Sequence, residues 1–240
     1  MTTRGGRRWR TLGPAWETVS AWETVSAGLR EAHHGRGLAL VQGLPRDGLS
    51  EDEFRLLNWA IGLYTGVARP QGKASQYISP VRDAGVDYRA ASGRGYSSNA
   101  RLDFHVDGAD LATLACYNKA KSGGQSMISS SLTAREVLMA ERRDLAEVAH
   151  QDFHFSRQQE EAEDEGPFYS QPLFDMADGR VFGKWNGNRV RSAQRLDDVP
   201  RLSEKQRETM DALDDILSRS ENMFPGFSIW MRSLPSPKLG

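Results

Sequence analysis

Cysteine is nearly absent from this 240-residue chain: Cys116 stands alone, so no disulfide can close within it. A lone thiol inside an apolar run suits a reducing cytoplasm and a buried structural role. Long hydrophobic runs are also missing. No stretch reaches the roughly 20 apolar residues needed to span a bilayer, and Arg4, Arg7, Arg8 and Arg10 have no apolar segment behind them, so the start is not a secretory signal. Residues 1–14 read instead as a disordered basic leader. Charge of one sign is lacking too, with a net charge of −1 and an isoelectric point near 6.5, which gives no electrostatic case for nucleic acid or a membrane surface. Histidines number five, and none follows His154.

What is present is enough for one folded domain. A hydrophobic content of 38% and a mean hydropathy of −0.59 lie on the polar side. An aromatic content of 9% nevertheless argues against disorder over most of the length. Ala15-Trp16-Glu17-Thr18-Val19-Ser20 recurs at once as Ala21 to Ser26. Six residues turn a helix through about 600°, so the two copies cannot pack alike, and the duplication is read as carrying no function.

Several elements are readable in order. Gly37 to Gly43 reads as a short buried strand closed by a turn over Leu44 to Gly48. Ser50 and Glu53 form a capping box opening a helix through Phe54, Leu57, Ile61 and Tyr64, ending near Gly66. Arg69 to Arg101 is rich in Gly, Ser, Pro and Arg and reads as a long loop. Leu111 to Tyr117 reads as an apolar strand, paired through a glycine turn with Met127 to Ser131. Helices are expected from Thr133 and from Asp144, an acidic loop over Gln158 to Glu165, and strands over Phe168 to Phe174 and Arg180 to Trp185 around a turn at Ala177-Asp178-Gly179. Ser203 to Ser218 is an amphipathic helix with Ser203 and Gln206 as capping box and Met210, Leu213, Ile216 and Leu217 on one face. The sum is a β-rich α+β core with flanking helices.

Chemistry concentrates at Phe104-His105-Val106-Asp107. In an extended segment, side chains two apart share a face about 7 Å apart at their Cα atoms. One ion can therefore bridge His105 and Asp107. Two histidines and one carboxylate with open positions form the ligand set of non-haem Fe(II) oxygenases. Taken alone, the triplet reads more readily as an ordinary hydrogen-bonded pair in a polar turn. His150 and His154 are the other ligand candidates, although a histidine on a mixed segment is more often structural; His33 and His34, beside a glycine, read as exposed. Arg189, Arg191 and Arg195 fit either an anion site or a solvated strand edge.

The motif order decides between these readings. Gly43-Leu44-Pro45, Val81-Arg82-Asp83, Arg94-Gly95-Tyr96, Phe104 to Asp110, Lys121-Ser122-Gly123-Gly124-Gln125-Ser126, Trp185-Asn186 and Ser192-Ala193-Gln194-Arg195 together resemble the taurine-dioxygenase-like TauD/TfdA family of Fe(II)- and 2-oxoglutarate-dependent oxygenases. The resemblance spans Gly37 to Leu217. It implies a double-stranded β-helix, or jelly roll, with Fe(II) between two facing sheets. It further implies that His105 and Asp107 are iron ligands and that Ser126 contacts the cosubstrate 2-oxoglutarate. A small organic molecule would be oxidised by dioxygen. Family members carry a further histidine and a 2-oxoglutarate-binding arginine beyond the helix matching Ser203 to Ser218, and neither has a counterpart here. The expectation is therefore a family domain over residues 15–222, lacking its last strands, with a non-family tail over 223–240 and a truncation or frameshift near Asn222. A catalytically inactive scaffold and a cupin-type jelly roll are the competing expectations.

Overall fold

The computed structural model describes residues 19–70, 76–87, 95–177 and 179–224. The basic leader, the first copy of the duplication up to Thr18, Arg94, Asp178 and the segment from Pro225 onward lie outside the described residues. The described residues divide into two compact units, one within 19–69 and 109–123, the other within 70–108 and 124–224.

The first unit holds α1 (Val19–His34) and α2 (Glu51–Leu63). The second copy of the duplication thus lies within a helix, an element that the repeat had obscured. The capping box forms at α2 as expected: Ser50 Oγ accepts from Glu53 N at 3.3 Å, and Glu53 Oε2 accepts from Ser50 N at 2.7 Å, satisfying two of the helix's otherwise unpaired donors. Phe54 is buried against the Tyr117 ring, 5.3 Å between centroids, and the Tyr117 hydroxyl donates to Leu49 O at 3.0 Å. Leu38 to Gly43 is not a strand but irregular chain with one bridge residue, Val41. Leu111 to Tyr117 is irregular too, and Leu114 is 64% exposed. Both runs carry strand-like side chains, yet a strand exists only where a neighbour takes its N–H and C=O groups. Cys116 is half-buried, its thiol directed at Asn118 O at 3.5 Å.

The second unit contains α3 (Ser131–Glu141), α4 (Arg143–Val148), β1 (Asp152–Ser156), β2 (Phe168–Pro172), β3 (Phe174–Ala177), β4 (Arg180–Gly183), α5 (Gly187–Ala193) and α6 (Glu204–Ser218). The α3 helix begins before Thr133 because Ser130 is its cap, accepting from Thr133 N at 3.2 Å. The strands form two antiparallel hairpins, β1 with β2 and β3 with β4. In β1, Phe153 and Phe155 point into the core while His154 lies on the other face opposite Ser170, the period-2 alternation of a half-buried strand. The hairpins are joined by Leu173, whose N–H donates to Ala149 O at 3.0 Å and whose carbonyl accepts from Lys184 N at 2.8 Å.

Helix α6 closes this core. Ser203 and Gln206 make the expected capping box, and Met210, Leu213, Ile216 and Leu217 are buried as one stripe with Leu138, Leu145, Phe153, Phe155, Phe174 and Trp185. Met223 pairs with Ser129 in an isolated bridge, and Phe224 N donates to Ile128 O at 3.0 Å. The described residues are therefore α+β, with helices and two small antiparallel two-stranded sheets. Met127 to Ser131 is not the expected strand: it holds only an isolated bridge from Ser129 to Met223, and Ser131 already belongs to α3. No helix among the described residues is long and apolar enough to cross a membrane.

Candidate metal centre

The core fixes the half-site from behind. Trp185, 2% exposed, ends the β4 side of the second hairpin, and its carbonyl accepts from Val106 N at 2.7 Å. His105 and Asn186 are bridge partners, so the segment carrying the triplet runs extended beside the entrance to α5. Phe104 packs against the core. Extended chain then turns its neighbour His105 away from the core.

The imidazole is oriented by its own chain. His105 Nδ1 lies 2.8 Å from Asp103 O. A carbonyl only accepts, so Nδ1 carries the hydrogen and the Nε2 lone pair is left free in the neutral ring. Nε2 faces Asp107 Oδ1 at 3.7 Å, with side-chain exposures of 35% and 65%. Two donors at a right angle, each about 2.1 Å from one ion, lie about 3 Å apart. Closing the pair by about 0.7 Å would suffice, and a backbone-oriented imidazole is the usual support of a metal-binding histidine. The donors fit an Fe(II) half-site.

Behind Asp103 stands an arginine that the sequence offered for an anion site or a strand edge, not as a partner of Asp103. Arg191, on α5, lies with Nη1 3.8 Å from Asp103 Oδ2, and its Nη2 donates to Asp214 Oδ2 on α6. Burial pushes the Asp214 carboxyl above its ordinary value, Arg191 opposes this, and the nearby Asp103 charge adds to the rise. The Trp185 indole N–H also favours the Asp214 carboxylate, but it has no partner within hydrogen-bond geometry; we take its effect as a weak dipole. Gly187 makes room for this packing, since a Cβ there would sit 2.5 Å from Arg191 Nη1 and 2.8 Å from Trp185 Cζ2. A readable signal existed only for the start of α5, where Asn186 caps the helix by accepting from Arg189 N at 3.1 Å.

The remaining candidates are engaged elsewhere. His150 Nε2 accepts from Arg135 Nε at 3.3 Å, and His154 Nδ1 lies 2.7 Å from Ser170 Oγ. Arg189 is not on a strand edge but within α5, donating to Ser156 O at 3.0 Å and to Glu160 at 3.1 Å. Ser126 is half-buried in irregular chain after Gly123 and Gly124, whose φ angles of +70° and +72° are the left-handed turn anticipated there. Among the described residues, no group of three or more His, Cys, Asp or Glu is placed to hold a metal ion.

Known proteins supply the context. Residues 10–227 match the family described as "Taurine catabolism dioxygenase TauD, TfdA family". The chain is similar to an FR-33289 synthase of Streptomyces rubellomurinus, 27% identical over 195 residues, covering 81% of this chain and 58% of the relative. It therefore spans less than two thirds of that relative's length. A match over most of the chain places the protein: it belongs to the TauD/TfdA dioxygenase family.

Proposed function

We propose that the protein is an Fe(II)- and 2-oxoglutarate-dependent dioxygenase of hydroxylase type, built on the family's jelly roll and acting on a small organic molecule. The observation carrying this reading is the direction of the His105 Nε2 lone pair, which faces the Asp107 carboxylate while Nδ1 is held by Asp103 O. Bound Fe(II) supplies dioxygen activation coupled to decarboxylation of 2-oxoglutarate to succinate. His105 and Asp107 are the residues to hold it, one neutral nitrogen and one anionic oxygen, a set suited to Fe(II) with positions left open. Ser126 is the hydroxyl assigned to 2-oxoglutarate, donating to a carboxylate oxygen. Its place two residues beyond the left-handed Gly123-Gly124 turn, with the side chain only half-buried, supports that role.

A second reading is favoured by a specific observation: no third donor joins His105 and Asp107 among the described residues. In that case the chain is a non-catalytic scaffold that binds a ligand or partner. The test is 2-oxoglutarate decarboxylation with Fe(II) and ascorbate, compared with His105→Ala. Succinate formation by the parent that disappears in the variant supports the dioxygenase. Absence of turnover in the parent, with the fold intact by circular dichroism, favours the scaffold.

A further inference from the structure

We propose that Arg191 is a positioning residue that sets the tautomer of His105, by gripping the Asp103 side chain while the Asp103 carbonyl holds His105 Nδ1. This deepens the dioxygenase reading and rests on it for the identity of the metal. The inference begins with a division of labour within one residue. Asp103 presents its main-chain oxygen to His105 at 2.8 Å and its carboxylate to Arg191 at 3.8 Å. The residue that holds the ring through its main chain is thus itself held through its side chain.

The guanidinium is itself anchored at its other end by Asp214, a half-buried carboxylate on α6. Two carboxylates on separate segments are thus spanned by the two Nη atoms of one planar group. A lysine ammonium, a single point on a flexible stem, reproduces that geometry poorly. The site is shaped for the span, because Gly187 leaves no side chain where Nη1 lies and the fully packed Trp185 ring walls the same space. At 3.8 Å and with both partners part-exposed, the Arg191–Asp103 pair adds little stability. Its effect is directional.

Direction matters because only the Nδ1–H tautomer leaves Nε2 unprotonated toward Asp107. When the carbonyl drifts, the ring samples the neutral Nε2–H tautomer, in which the nitrogen facing Asp107 carries the hydrogen and offers no lone pair to a metal until that hydrogen moves to Nδ1. Loss of a supporting residue behind a metal-binding histidine typically weakens metal binding about 10- to 100-fold. Arg191 acts one residue further back, so the lower end, about 10-fold, is expected.

The test uses the full-length chain with 15N-labelled histidine. In the metal-free parent, above the pH range of imidazole protonation, His105 should show a protonated Nδ1 and an unprotonated Nε2 in long-range 15N–1H spectra. Arg191→Met should shift it toward the Nε2–H form and weaken Co(II) binding by calorimetry about 10-fold. Asp103→Asn, which removes the gripped charge but keeps the carbonyl, should act in the same direction and carries the test should Arg191→Met not fold. Arg219→Met, which breaks an ion pair with Glu141 and Asp215, should leave both readings at parent values. Retention of the Nδ1–H form and of parent Co(II) affinity in both variants overturns the proposal. Failure of the parent to bind Co(II) counts against the iron reading instead, while the metal-free tautomer still judges Arg191.

Discussion

Gly187→Ala adds one methyl group where α5 begins, at a point with no room for it. The new Cβ would lie 2.5 Å from Arg191 Nη1, 2.8 Å from Trp185 Cζ2 and 3.2 Å from Trp185 Cη2. The Trp185 ring is 2% exposed and surrounded by core, so it cannot withdraw without displacing its neighbours. Arg191 can withdraw, but only by releasing Asp214 and Asp103. Inserting a methyl into packed core costs about 1–3 kcal/mol, and alanine's better helix propensity offsets up to about 1 kcal/mol of that. The net expectation is a loss of about 1–2 kcal/mol. With a denaturant slope of about 2 kcal/mol per molar urea, the unfolding midpoint falls by about 0.5–1 M. Urea titration followed by circular dichroism reads this directly. Gly62→Ala is the matched control, because Gly62 lies inside α2 with nothing within 4 Å of its would-be Cβ; it should stabilise by about 0.5–1 kcal/mol. A Gly187→Ala midpoint at or above that of the parent refutes the account of how Trp185 and Arg191 are packed.

Two further outcomes follow from the core and from the surface charges. Leu213→Ala removes a fully buried side chain from the α6 stripe and should cost about 2–5 kcal/mol, lowering the melting midpoint by about 5–15 °C; an unchanged midpoint means that α6 is not docked. Glu141, Asp144 and Asp175 are each held below the usual carboxylate range, by Arg219, by Arg142 and Lys205, and by Lys184 respectively. A depressed folded pKa stabilises above the unfolded carboxylate range, near pH 4, and that contribution is lost as pH falls through the folded values. Asp214, whose pKa is raised, works in the opposite sense. Thermal melts from pH 7 to pH 3 should therefore fall below about pH 4.5, less steeply in Asp144→Asn and in high salt; a flat profile contradicts these assignments.

Capping and periodicity made α2 and α6 legible, because Ser50–Glu53 and Ser203–Gln206 are local signals and the apolar stripe of α6 recurs at helical spacing. The turn at Gly179 was legible from its glycine, but the pairing was not: Phe168 to Phe174 was expected opposite Arg180 to Trp185, whereas Phe168–Pro172 pairs with β1 and β4 pairs with Phe174–Ala177. Helix α5 was not, since Gly187-Asn188-Arg189-Val190-Arg191-Ser192-Ala193 has too few apolar residues to show a face, and its stability comes from the buried Val190 and Ala193. The run Leu111 to Tyr117 misled because composition reports what suits a strand and not whether a partner strand lies alongside. At the site, His105 and Asp107 stand out as candidates through the order of the surrounding motifs rather than through their spacing alone. The Asp103–Arg191–Asp214 chain does not, because its members come from three segments that only tertiary packing brings together.

The bridge between His105 and Asn186 sets an order of events during synthesis. The two residues are 81 positions apart (186 − 105), and chains emerge at about 5–20 residues per second. For roughly 4–16 seconds after His105 is made, its bridge partner Asn186 does not yet exist, although Asp103, which holds the ring, already does. The local hold on the imidazole can therefore precede the tertiary one, which waits until the chain has grown past the start of α5.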